Sequence, residues 1–214
     1  MDLALLMGNH AAVGDPARAE LERAVGELRR RPLLAARAMS GLAMPYWGTG
    51  HVDEHRGWLE RAERALPARG DRGLRAAVVV NLHCARMQLG DPDAWTSVPE
   101  PGDAPEELAE FVRGYANFAN TALAAGRFAD ARAFLDRAAE WADRSGAAYQ
   151  RRMAEANGLR LAWATGRWTG LAERAARLRA ATQSAAAEAS LVLGLLALAA
   201  GEFDEAGSTS PLPD

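Results

Sequence analysis

The sequence predicts an all-α fold, and three observations support this. Residues that favour helices, chiefly alanine, leucine, arginine and glutamate, dominate the 214-residue chain. β-branched residues, which favour strands, are scarce, and the one β-like run at 78–80 lies inside a longer helical pattern. Apolar residues recur at intervals of three and four in segments such as 109–125 and 129–142, the spacing of one helix face.

The helices are predicted to come in pairs, because a glycine recurs along the chain at a nearly constant interval. Successive members of this set are 36, 40, 36, 40 and 35 residues apart. They are Gly14, Gly50, Gly90, Gly126, Gly166 and Gly201. The segments that flank them have helical periodicity, so the predicted unit is a helix, a tight turn with a left-handed glycine, and a second helix. An aromatic residue two positions after the glycine, as in Phe128 and Trp168, is expected to pack between the two helices, and Trp141 is expected to be core.

The repeat is clearest when residues 50–62, GHVDEHRGWLERA, are compared with residues 126–138, GRFADARAFLDRA. Both segments contain an aromatic–leucine pair followed by an acid, an arginine and an alanine, without a gap. The turn resembles the G-x-[YF]-x-x-A turn of the tetratricopeptide repeat (TPR), most specifically at 126–138 and 201–206. This resemblance implies an antiparallel helix-pair solenoid, a right-handed superhelix of about five helix pairs.

The third repeat departs from the pattern. Four prolines between 92 and 105 disfavour a second helix, so an irregular loop is predicted at 91–105. A single array is predicted over 1–206, with a flexible tail at 207–214. Because the apolar run at 191–198 has no evident polar cap, we expect the terminal helices to be covered by more of a longer chain or by another copy.

Composition excludes several classes of function. The chain has no lysine, so it contains neither a P-loop nor a Schiff-base amine. The net charge of -3 argues against a nucleic-acid binder. A single cysteine, Cys84, suits a reducing compartment, and the sequence shows neither a secretion signal nor a membrane span. A cytoplasmic protein with no membrane or nucleic-acid partner is therefore expected.

One short motif suggests chemistry. His51, Glu54 and His55 have the H-x-x-E-H spacing of inverted zinc peptidases. Glu54 aligns with Asp130 in the repeat, however, and a catalytic zinc also needs a third protein ligand. We therefore predict a solenoid turn with no metal or cofactor, and keep a zinc hydrolase as the remote alternative. The adjacent His83 and Cys84 point about 100° apart on a helix, which favours a buried structural cysteine.

The resemblance to TPR arrays implies that a concave groove, lined by the first helix of each pair, binds a protein segment or a small-molecule effector. Arginine and asparagine suit carboxylates or peptide backbone, while methionine and tryptophan supply apolar contacts. The asparagines have an alternative role, which is hydrogen bonding from helix to helix. The predicted groove residues are Arg37, Met44, Trp47, Met87, Arg113, Asn117, Asn120, Arg160 and Trp163.

Residues 166–176 and 188–206 resemble the helical-repeat region of large ATP-binding LuxR-type transcriptional regulators, and the lysine-free composition suits actinobacteria. The resemblance implies a non-enzymatic, signal-receiving module of a bacterial transcriptional regulator. A stand-alone scaffold for protein partners is the alternative, and self-association through uncapped terminal helices is a further expectation.

Overall fold

The computed structural model describes residues 14–45, 50–181 and 185–202, and the chain is all-helical there, with no strand. Those ranges contain nine α-helices and one short 3-10 helix at Pro92–Trp95. The helices are α1 (Gly14–Glu27), α2 (Pro32–Leu42), α3 (Val52–Ala65), α4 (Arg72–Gln88), α5 (Pro105–Ala124), α6 (Phe128–Ser145), α7 (Ala148–Ala164), α8 (Leu171–Ala181) and α9 (Ala186–Ala200). The all-α prediction is confirmed for these residues.

The chain divides into two compact units, and the boundary falls inside α5. The first unit is Met1–Gly114 and the second unit is Tyr115–Asp214. The predicted tail at 207–214 lies outside the described residues.

In the first unit, α2 packs against α1, α3 and α4. Its core consists of small and medium side chains, and Ala36, Ala62 and Val78 have no exposed surface. Small residues also allow α4 and α5 to approach closely, since a Cβ added to Gly114 would lie only 2.5 Å from the Cβ of Val80. Alanine and glycine therefore set the helix spacing in this unit.

Local hydrogen bonds and a proline mark where two helices of the first unit begin. Asp71 caps α4 by accepting a 2.7 Å hydrogen bond from the backbone N–H of Leu74. Pro105 occupies the first position of α5, where the missing N–H removes no helical hydrogen bond. Residues 96–104, between the 3-10 helix and α5, are not helical, in the segment where the sequence predicts a loop.

The second unit has an aromatic core between α5 and α6. The ring centroid of Tyr115 lies 4.5 Å from that of Trp141 and 5.5 Å from that of Phe134, and both pairs are in edge-to-face arrangements. Trp141 is 3% exposed, so its predicted core position is confirmed. The prediction for the residue two positions after the glycine is wrong, because Phe128 and Trp168 are 39% and 47% exposed. Trp168 instead donates its indole N–H to the carbonyl of Trp163 in the preceding helix.

Four of the predicted glycine turns share one local geometry. Gly90, Gly126, Gly166 and Gly201 have φ angles of 83°, 70°, 72° and 81°. The residue after each glycine donates its N–H to a carbonyl five positions back, a Schellman-type C-cap that satisfies the end of the helix. Gly50, by contrast, lies two residues before the start of α3, and its φ is outside the left-handed region.

The last described helix, α9, leaves Leu191 and Leu198 41% and 49% exposed. Among the helices of the described ranges, none combines the length and the apolar character required to cross a membrane.

Candidate functional site

A cleft of the second unit lies between α6, α7 and α8 and has a volume of about 630 Å³. A volume of this size suits a small organic ligand. We call it the arginine cleft, because five arginines line it. They are Arg132, Arg151, Arg167, Arg174 and Arg177.

The floor of the arginine cleft is apolar. Ala154, Leu159 and Ala162 come from α7, and each is less than a tenth exposed. Leu178 belongs to α8 and also packs into the core of this unit. The floor is therefore rigid, while the charged groups stand on the helices around it.

The arginines of the cleft differ in their partners. Arg151 forms ion pairs with Asp143 at 2.6 Å and with Glu155 at 3.7 Å. No ion pair or side-chain hydrogen bond joins Arg132, Arg174 or Arg177 to any described residue. Positive charge that no described residue pairs with is therefore concentrated in this cleft, although the whole chain carries a net charge of -3.

The side chains of the cleft are mostly arginines and aliphatic groups. Its lining contains arginines, aliphatic side chains, a glycine and two carboxylates, Asp136 and Glu155. No hydroxyl, thiol or imidazole is among the described lining residues. Guanidinium groups instead suit the oxygens of carboxylates and phosphates.

The predicted groove residues of the first unit are held within the protein. The Nε of Arg113 lies 2.8 Å from Glu110, and its Nη1 donates a 3.0 Å hydrogen bond to Asn81. Met44 and Met87 are 1% and 4% exposed, so they pack in the core and do not form a contact surface. Arg37 is half-buried on α2. Trp47 lies outside the described residues.

In the second unit, the predicted groove residues partly satisfy one another. Arg160 donates a 2.6 Å hydrogen bond to the amide oxygen of Asn120 and also pairs with Glu188 at 3.6 Å. Asn120 therefore bonds from helix to helix, which is the alternative role that the sequence left open. Asn117 and Trp163 are half-buried on α5 and α7.

The H-x-x-E-H residues do not converge on one point. The side chain of His51 is 79% exposed and lies 3.5 Å from Asp53, whereas His55 is 1% exposed, with Nδ1 2.9 Å from the carbonyl of Leu42. The carboxylate of Glu54 accepts a 3.0 Å hydrogen bond from Arg18.

The surroundings of His55 also suit a metal ion poorly. A Cβ on Gly50 would lie 3.1 Å from its Nε2 and 2.8 Å from Nη1 of Arg18, so a cation bound at Nε2 would meet a guanidinium. Across the described ranges, no three histidine, cysteine or acidic residues are grouped to hold a metal.

The thiol of Cys84 is inaccessible to solvent. Cys84 is 1% exposed on α4, so the prediction of a buried cysteine is confirmed. Burial lowers the pKa of the neighbouring His83.

The arginines of the cleft were not predicted from the sequence, although one signal marks Arg177. An arginine follows three of the turn glycines at a distance of eleven residues, and these are Arg61, Arg137 and Arg177. This charge recurs on the helix that follows each of these three glycines, which indicates a surface feature of the repeat.

No protein-family model, no curated protein and no solved structure matches this chain.

Proposed function

We propose that this chain is a non-enzymatic binding module, built from TPR-like helix pairs, that receives a small organic anion in the arginine cleft. The observation that carries the proposal is a group of three arginines above an apolar floor, which have no ion-pair or side-chain hydrogen-bond partner among the residues that the structure describes. Arg132, Arg174 and Arg177 can each direct a planar fork of donors at a carboxylate or phosphate. The floor would bury the apolar part of the same ligand.

The charge distribution supports an anion over a neutral ligand. Like charges that stand close together repel one another, and a bound anion relieves that repulsion. The cleft therefore gains more from an anionic ligand than an isolated surface arginine would. Its field would also attract anions from solution, most strongly at low ionic strength.

We further propose that the module is the signal-receiving part of a bacterial transcriptional regulator. This proposal is supported by the resemblance of residues 166–176 and 188–206 to the helical-repeat region of LuxR-type regulators. The first of these segments overlaps α8, which forms one wall of the cleft. A ligand would act by binding one arrangement of the helices more tightly than another.

A thermal-shift experiment on the full chain tests the binding function. The probes are phenyl phosphate and adipate, and the neutral compounds phenol and 1,6-hexanediol are their matched controls. At one hundred times its dissociation constant, a bound probe adds about 2.7 kcal/mol to the free energy of unfolding. For a chain of this size, that is roughly 5–10 °C in Tm.

Two arginines on α8 provide matched variants. Arg177 lines the cleft, whereas Arg179 is exposed on the same helix and does not line it. Arg177→Gln is expected to reduce the shift caused by an anionic probe, and Arg179→Gln is expected to retain it in full. Equal loss in both variants, or no shift with any anionic probe, would contradict the proposal.

A further inference from the structure

The first unit contains a second cleft, between α1, α2 and α3, with a volume of about 600 Å³. We call it the tryptophan cleft, because the half-buried ring of Trp58 lies in its wall. Arg29, Arg61 and Arg64 also line this cleft, and Met39 belongs to its apolar floor. Both a charged rim and an apolar floor are therefore present, as in the arginine cleft.

The two clefts use the same positions of the repeat. In each unit, one wall is the helix that follows a turn glycine, namely α3 after Gly50 and α8 after Gly166. The residues eight, eleven and fifteen positions after the glycine line the cleft in both units. The corresponding pairs are Trp58 and Arg174, Arg61 and Arg177, and Ala65 and Ala181. This spacing places the three residues on one face of the helix in both units.

Arg61 is positioned to bind an oxyanion. Its guanidinium carbon lies 3.9 Å from the centroid of the Trp58 ring. Such stacking occupies the face of the guanidinium and leaves its in-plane N–H groups available to an acceptor. No described carboxylate lies within ion-pair distance of Arg61 or Arg29, whereas Arg64 pairs with Glu60 at 3.5 Å.

We propose that the tryptophan cleft is a second binding site, which takes a small organic oxyanion, a carboxylate or phosphate carried on an apolar body. Arg61 binds the oxyanion, Arg29 adds positive charge, and the apolar body contacts Trp58 and Met39. The site lies wholly within the first unit. It shares its ligand chemistry with the proposed function but rests on its own residues.

Fluorine NMR of the full chain, labelled with 5-fluorotryptophan, tests this site. The Trp58 signal is assigned by its loss in Trp58→Phe, and the probe is phenyl phosphate, with phenol as the neutral control. A saturable shift of the Trp58 signal is expected with phenyl phosphate and not with phenol. Arg61→Gln is expected to weaken binding by about tenfold or more, since a hydrogen bond to a charged group is lost.

Arg56 provides the matched control on the same helix. It is exposed, lies 3.8 Å from Asp53 and does not line the cleft. Arg56→Gln is therefore expected to retain the affinity, and Arg29→Gln to reduce it. An unmoved Trp58 signal at saturating phenyl phosphate, equal titration by phenol, or equal weakening in the Arg56 and Arg61 variants would overturn the inference.

The same titration separates this inference from the proposed function. Arg177→Gln, which removes a charge from the arginine cleft, should leave the Trp58 titration unchanged. A Trp58 shift in a chain whose arginine cleft binds no probe supports the second site and contradicts the proposed function. Conversely, if probe binding is lost in Arg177→Gln and the Trp58 signal does not move, the result supports the proposed function and contradicts the second site.

Discussion

Gly114→Ala provides a sharp test of the packing in the first unit. Gly114 lies in α5, where this helix meets α4. An added Cβ would lie 2.5 Å from the Cβ of Val80 and 2.6 Å from its Cγ1. Ordinary contacts between carbon atoms are about 3.5–4.0 Å, so the new methyl group overlaps Val80 by roughly 1 Å. Val80 is 1% exposed and cannot rotate into solvent.

Two opposing contributions set the size of the effect. Overpacking a core typically costs about 1–3 kcal/mol. Replacing glycine by alanine inside a helix returns up to about 1 kcal/mol. The net expectation is a loss of roughly 0–2 kcal/mol in the free energy of unfolding.

Gly57→Ala is the matched control, because Gly57 lies inside α3 and a Cβ there would meet nothing within 4 Å. This variant gains the helical preference without the overlap. Gly114→Ala should therefore be less stable than Gly57→Ala by about 1–3 kcal/mol, measured by urea denaturation. Equal midpoints for the two variants would refute the close approach of α4 and α5.

Three further predictions follow from buried polar groups. Arg113→Ala leaves the 6%-exposed Asn81 without its 3.0 Å donor, so we expect a loss of about 1–3 kcal/mol, seen as a lower Tm. Asn157→Ala removes the 2.7 Å hydrogen bond to the carbonyl of Ala116, and a loss of about 1–2 kcal/mol in urea denaturation is expected; an unchanged midpoint would contradict this bond. Burial lowers the pKa of His83, so the unfolded chain takes up its proton at a higher pH than the folded chain. The free energy of unfolding should therefore fall as the pH drops below about 6.5, and His83→Gln should reduce that slope; an equal slope in the variant would count against the buried imidazole.

The turns were predictable from the sequence because their determinants are local. Gly126 and Gly166 adopt the left-handed conformation, and the hydrogen bonds that satisfy each helix end come from the same few residues. Gly50 does not follow this pattern. It lies two residues before the start of α3, and its φ is not left-handed.

The environment of aromatic residues was less predictable. Trp141 and Trp168 both follow a turn glycine in the sequence, yet one is 3% and the other 47% exposed. Trp141 lies on the face of α6 that meets α5, whereas Trp168 precedes α8 in the turn. Helical periodicity specifies a face only within the helix, so it gives no information on a residue just before the helix begins.

The arginine cleft could not be predicted from the sequence, because pairing of charges is decided in three dimensions. Arg151 and Arg177 are both exposed arginines on helices, but only Arg151 has carboxylates within ion-pair distance. The predicted groove shows the reverse case, in which arginines that were expected to face a ligand are paired within the protein. The sequence predicts Arg113 and Arg160 as groove residues from their polar character, and both are engaged by neighbouring side chains.

The central claim, that an organic anion binds in the arginine cleft, is tested most directly by NMR of the arginine Nε–Hε groups. Signals of Arg132, Arg174 and Arg177 are assigned by single glutamine substitutions, and phenyl phosphate is then titrated into the full chain. The account predicts saturable shifts of these three signals while the Arg179 signal stays in place. Unmoved cleft signals, or an Arg179 signal that shifts as much as they do, would contradict it.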